Sequence, residues 1–126
     1  MQSFFDAYVE AALWSSNDES SPSGGEPLDS NYVPADIDRD TFEKMRADCE
    51  KFESEIADLL IEENTSTRYG VSAQAGHDFW LTRNGHGCGF WDGDWEEPAA
   101  TKLTEAAKGF GTFDLYIGDD GKIYGQ

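Results

Sequence analysis

One segment constrains this chain more than any other. In Asp38–Asn64, DRDTFEKMRADCEKFESEIADLLIEEN, the apolar residues Phe42, Met45, Cys49, Phe52, Ile56, Leu59 and Leu60 recur at steps of three and four. That period predicts one long amphipathic helix of roughly 25 residues, which needs a surface to cover its apolar stripe. Asp38 or Asp40 is placed to cap its start, and Glu43 stands three residues beyond Asp40 as in a capping box. The chain of 126 residues has the size of a single domain, residues 1–126, with one core. Its eight Phe, five Tyr and four Trp supply enough large apolar groups to offset chain entropy, so an acidic disordered tail is excluded.

Other elements are read around that helix. Phe4, Tyr8, Ala11, Ala12 and Ser15 share a helical face, predicting a short helix over 2–15. The Ser, Gly and Pro of 16–33 carry neither period and predict an exposed acidic loop. From residue 69 aromatic-rich, alternating runs flank Asn84-Gly85-His86-Gly87, which reads as a β-hairpin with the glycines at positive φ. Pro98 opens a helix from Ala99 to Lys108 that stops at Gly109 and Gly111. Phe113 to Tyr124 predicts a second hairpin turning at Asp119-Asp120-Gly121. The expected fold is α+β in the order α-α-β-β-α-β-β, with two antiparallel hairpins forming one sheet packed against the helices.

Charge narrows the function classes. The formal net charge is −17, and 17 acids against 4 bases lie in residues 1–66. Such a field repels nucleic acid and anionic membrane while it attracts basic surfaces, so no direct nucleic-acid partner and no membrane partner are expected. The start MQSFFDAYVE has no basic region ahead of an apolar run, and no run reaches the ~18 residues that span a bilayer, so a cytoplasmic location is expected. Cys49 and Cys88 belong to no CxxC or CxxH spacing and are expected to be free thiols.

Possible chemistry is weighed residue by residue. Asp36, Asp38 and Asp40 form D-x-D-x-D, but the places where a calcium loop needs Gly and Glu hold Thr41 and Ala47. Capping and the helix dipole account for those aspartates. His77, His86 and Cys88, with Asp78 and Asp92, lack a recurrent zinc spacing, and residues flanking a turn glycine point apart, which disfavours a Cys-His nucleophile. Trp80, Phe90, Trp91 and Trp95 read as core and cross-strand packing rather than as a stacking platform. No catalytic residue, metal or cofactor is expected, and the chain is not expected to be an enzyme.

The acids of the long helix remain. Between 43 and 63 stand Glu43, Asp48, Glu50, Glu53, Glu55, Asp58, Glu62 and Glu63. On a helix they would lie about 3.8 Å apart along roughly 30 Å, close to the ~3.4 Å charge spacing of one DNA strand. Lys44 with Asp48 and Arg46 with Glu50 are expected to pair in the first half. The five acids from Glu53 to Glu63 have no base among them, and Glu62 and Glu63 would oppose the helix dipole. Solubility is the competing explanation. The candidate partner-binding set is Glu50, Glu53, Glu55, Asp58, Glu62 and Glu63 with Asp18, Glu19, Glu26 and Asp29 of the loop, facing a basic surface of a host protein or ribonucleoprotein. The competing surface is the aromatic hairpin face from Arg83 to Trp95.

HDFWLTRNGHGCGFWDGDW, the ending LTEAAKGFGTFDLYIGDDGKIY and the opening LWSSNDES with PLDSNY resemble a family of small proteins encoded by bacteriophages and prophages. The resemblance covers most of the chain. It implies a phage origin and a bacterial cytoplasm, and it brings no chemistry of its own. Small acidic phage proteins include anti-CRISPR and anti-restriction inhibitors that occupy nucleic-acid channels. The expectation is therefore an inhibitor of a host nucleic-acid-binding defence complex, acting through a surface that imitates DNA.

Overall fold

The computed structural model describes residues 2–20, 25–67, 70–86 and 88–126. The order is α1 (Phe4–Ser15), β1 (Asn17–Asp18), β2 (Glu26–Pro27), α2 (Arg39–Ile56), α3 (Val71–Arg83), α4 (Ala99–Lys108), β3 (Leu115–Ile117) and β4 (Ile123–Gly125). The class is mixed α and β, as expected, but the expected order and single sheet are corrected. The strands form two separate antiparallel pairs, β1 with β2 and β3 with β4.

Helix α1 starts where Ser3 Oγ accepts the Asp6 N–H at 3.1 Å. It packs on α3, whose small residues admit a close approach. A Cβ on Gly76 would stand 2.0 Å from the Phe4 carbonyl oxygen, so the α1 backbone occupies the space that a side chain would need. Tyr8 meets Trp80 edge-on at 5.3 Å, and Trp80 Nε1 donates to Ser15 Oγ at 2.7 Å.

The 71–83 region is thus a helix, not the expected hairpin strand. Ala73, Ala75, Gly76, Asp78, Phe79, Trp80, Leu81, Thr82 and Arg83 are all buried. A helix covered nearly all round shows no single apolar stripe, and its sequence can pass for alternation. Asn84 and Gly85 end the helix instead of turning a hairpin. Gly85, at φ +70, places its N–H on the Thr82 carbonyl and that of His86 on Leu81, the six-to-one and five-to-two bonds of a glycine-terminated helix. Gly87 lies outside the described residues. The chain from Cys88 to Pro98 forms turns, and Trp95 pairs with Thr65.

Helix α2 begins as expected, with Asp38 Oδ2 accepting the N–H groups of Asp40 and Thr41. It ends early, at Ile56. Two short 3-10 turns follow, Ala57–Leu59 and Glu62–Asn64, and the Asn64 side chain donates to the Leu59 carbonyl at 2.9 Å. Continuing the helix would have stacked Asp58, Glu62 and Glu63 against its negative end, a conflict that the break removes.

The loop at 16–33 is more anchored than expected. β1 pairs with β2, and Leu28 is fully buried, although 21–24 lie outside the described residues. α4 and the C-terminal hairpin stand where expected, and the Asp38 N–H donates to the Ile123 carbonyl at 2.8 Å, tying β4 to the start of α2. One apolar cluster draws on all four helices and on this hairpin, with Phe52 stacked on Phe79 at 4.1 Å near its centre.

Arg83 crosses that core. Its Nη1 donates to Asp48 Oδ2 at 2.9 Å and to the Tyr8 hydroxyl at 3.0 Å, its Nε to the Gly111 carbonyl at 2.8 Å and its Nη2 to that of Phe110 at 3.2 Å. Burial pushes the Tyr8 hydroxyl above its ordinary pKa, and the nearby guanidinium opposes that rise.

Two substitutions check this packing in urea unfolding. Gly76→Ala should cost about 2 kcal/mol, since the clash is with backbone and relief requires α1 to move off α3. Arg83→Met should cost about 3–5 kcal/mol by leaving the Tyr8 hydroxyl and the Phe110 and Gly111 carbonyls without their donor and Asp48 with Lys44 as its one cation. Losses within about 0.5 kcal/mol of zero would contradict the α1–α3 contact or the Arg83 cluster, respectively.

Candidate functional site

The ten candidate carboxylates do not form one strip. Glu50, Glu53 and Glu55 stand on α2, Asp58, Glu62 and Glu63 in the turns beyond it, and Asp18, Glu19, Glu26 and Asp29 around β1 and β2. At about 100° per residue, Glu53 and Glu55 leave α2 some 160° apart, on opposite flanks of the buried stripe of Met45, Cys49, Phe52 and Ile56. Glu55 lines a 460 Å³ cleft together with Lys44, Lys51 and Glu105, a setting of mixed sign. Glu50 and Glu53 line another, of 280 Å³, beside Phe5 and Arg46. The picture of one helix carrying the acids at DNA spacing is corrected accordingly.

Burial sorts the acids further. Asp18 is buried, and its carboxylate accepts the N–H and hydroxyl of Ser20 at 2.9 and 2.6 Å, so it holds its own turn and faces no partner. Glu53 is half-buried, and its pKa is raised by that burial first and by Glu50 second. The other eight are exposed. Ile61, 45% exposed, stands beside Glu62 and Glu63 as an apolar residue in the acidic turn.

Counter-charges are scarce. Among the described residues the ion pairs are Lys44 with Asp48 at 2.8 Å, Arg83 with Asp48 and His77 with Asp78. The Lys44–Asp48 pair is as expected. Arg46 does not pair with Glu50; its guanidinium lies over the rings of Phe5 and Phe42 at 5.0 and 5.3 Å. None of the ten candidate acids is in an ion pair among the described residues.

The residues weighed for chemistry are dispersed. His77 lines a 380 Å³ cleft with Glu10 and Trp14, whereas His86 lines a different one beside Trp80 and Asn84. His77 Nδ1 lies 3.2 Å from Asp78 Oδ1, and the other Asp78 oxygen accepts from Trp95 Nε1 at 2.8 Å and Gln74 Nε2 at 2.9 Å. Asp78 is therefore a buried acceptor joining α3 to the Trp95 turn. The Cys88 thiol is pushed up, by burial first and by Asp92 and Asp78 next, which keeps it protonated rather than nucleophilic at neutral pH. Both cysteines are free, and no three His, Cys, Asp or Glu side chains among the described residues are grouped as metal ligands would be.

The proposed aromatic face does not exist as a surface. Trp80, Phe90 and Trp95 are in the core with Arg83, and Trp91 alone of the four aromatics is exposed, at 51%. Sequence reasoning missed the Arg83–Asp48 cluster and the Asp78 acceptor; both join residues far apart in sequence, and only the strict burial of α3 could have flagged them. With the geometry in place, the chain matches no protein-family model, no curated protein and no solved structure. No helix among the described residues is long and apolar enough to cross a membrane.

His77 supplies a pH test. Its pKa is raised by the Asp78 hydrogen bond first, with Asp78, Glu10 and Asp92 adding charge attraction against burial. A raised folded pKa means that protonation favours the folded state: the gain is complete below the unfolded value of ~6.5 and disappears as pH rises through the folded value. The stability gap between wild type and His77→Gln, followed by urea unfolding from about pH 5.5 to 9, should therefore shrink with rising pH. A gap independent of pH would show that the Asp78 contact does not favour the imidazolium.

Proposed function

We propose that this protein acts by binding, not catalysis, and that its acidic surface docks on the basic nucleic-acid-binding groove of a host complex. In this reading it is a phage-encoded inhibitor of a bacterial defence complex, of the anti-CRISPR or anti-restriction kind, working in the cytoplasm of the host cell. The phage assignment rests on the sequence resemblance. The docking assignment rests on one observation: the exposed carboxylates Glu50, Glu55, Asp58, Glu62 and Glu63, with half-buried Glu53, have no ion-pair partner among the described residues.

The broken helix changes how such a surface would work. Acids held on two flanks and a turn imitate the charge of polyphosphate without its regular spacing. Long-range attraction needs only the sign and density of charge, and Lys and Arg side chains on a partner can reach carboxylates at uneven spacing. Ile61 in the acidic turn adds an apolar contact that charge alone lacks. Glu53 favours the same outcome, because a partner's cation would relieve the penalty that raises its pKa.

The reading is tested with Glu50→Lys, Asp58→Lys and Glu62→Lys combined, all at exposed positions. Wild type should capture a nucleic-acid-binding complex from bacterial lysate at about 0.1 M salt, release it at about 0.5 M, and displace a labelled duplex from it. The triple variant should lose capture and displacement by at least about tenfold while unfolding at the same urea midpoint. Undiminished displacement by the variant would eliminate electrostatic docking as the mechanism.

A further inference from the structure

A groove of 740 Å³ runs between α1 and the chain from Asp29 to Phe42. It differs in kind from the acidic turns, because its interior is apolar and its rim is charged. Phe5, Val9 and Leu13 follow one another at four-residue steps along α1; Val9 and Leu13 are buried and form the floor of the groove, and Phe5 is partly exposed at its side. Across from them stand Tyr32, partly exposed, and Val33, 57% exposed, which extend the apolar lining to the outer edge of the groove.

The rim has a definite pattern. Asp6 and Glu10, also four residues apart, form a second row one position round the helix from Phe5 and Val9, about 6 Å apart along the axis. Asp29 faces them from the other side of the groove. All three are exposed, and none is in an ion pair among the described residues. Glu10 accepts a hydrogen bond from Gln2, which leaves its charge uncompensated. The one cation of the groove, Arg46, is committed to the faces of Phe5 and Phe42 at its end.

We propose that this groove is a docking site for a basic amphipathic helical segment of a partner protein, with apolar side chains against Phe5, Tyr32, Val33 and Pro34 and Lys or Arg one turn apart against Asp6, Glu10 and Asp29. A segment with one apolar face and basic residues one turn apart matches an apolar groove edged by Asp6 and Glu10. An anionic lipid or a nucleic acid is repelled by the rim, and a second copy of this chain, at net −17, brings no basic row of its own to meet it. The inference goes beyond the acidic-turn reading, with which it shares Asp29 alone.

The probe is a fluorescent leucine–lysine peptide of about fourteen residues whose leucines recur at steps of three and four, compared with a peptide of the same composition whose leucines are dispersed round the helix. Both carry the same charge, so their affinity ratio reports the groove and their common affinity reports the acidic surface. In fluorescence anisotropy at about 0.15 M salt the amphipathic peptide should bind about tenfold more tightly. Val33→Asp should reduce that ratio to near one, and Glu10→Lys should weaken the lysine peptide while admitting a leucine–glutamate counterpart. The triple lysine variant of the acidic turns should lower both affinities and leave the ratio unchanged. Equal binding of the two peptides, or a ratio indifferent to Val33→Asp, overturns the groove without touching the acidic surface. A dimer in sedimentation that Val33→Asp dissociates would also overturn it, by giving the groove to a second copy.

Discussion

The arrangement depends on a buried cation. Arg83 reaches from the last turn of α3 to a carboxylate on α2, a hydroxyl on α1 and two carbonyls beyond α4, so a single side chain fixes the relative positions of all four helices. Its guanidinium also lies within 5.5 to 5.7 Å of the ring centres of Phe79, Phe110 and Phe113. Desolvating a guanidinium costs several kcal/mol, and the cost is recovered only when each of its nitrogens finds an acceptor at good distance. Here that condition extends beyond Arg83: among the described residues no buried side-chain nitrogen or oxygen lacks a hydrogen-bond partner. A half-satisfied version of the same network would be worse than an apolar core, which makes this centre intolerant of change at any one member.

Legibility followed the burial of each element. α1, α4 and the C-terminal hairpin each keep a wet side, so their apolar period or turn glycine is visible in the sequence. α3 keeps almost none, and the run that looked like alternating strand is a helix pressed between α1 and the rest of the core. α2 was legible at its start, where Asp38 caps, and not at its end, because the heptad-like spacing of Leu59 and Leu60 continues past the point where the backbone leaves the helix. Apolar spacing records which side chains meet the core; it does not record whether the backbone between them stays helical.

The candidate site was legible as composition and not as geometry. A count of acids treats all of them alike, while the fold assigns them three kinds of work. Asp18, Asp48 and Asp78 are buried acceptors that hold a turn, a cation and an indole. Asp38 caps a helix. The remainder of the candidate set is held on short turns and on the two flanks of α2, where Lys44 is engaged by Asp48 and Arg46 and Lys51 lie over aromatic faces. The excess of 26 acids over 9 bases sets the sign of the surface, and the engagement of Lys44, Arg46 and Lys51 decides which acids of α2 stay unpaired.

The tight seat of α1 on α3 has a consequence for how the protein is made. α1 leaves the ribosome ahead of α3, and the surface that accepts it, with Gly76 under the Phe4 carbonyl and Trp80 beside Tyr8, is synthesised only after the whole of α2. Until then Tyr8 lacks both Phe79 and Trp80, and the nascent α1 carries an apolar face that the segments before α3 fill only in part. The α1–α3 contact joins segments far apart in sequence, an arrangement that slows closure, and the negative charge of the first half favours solubility of a chain that is still open.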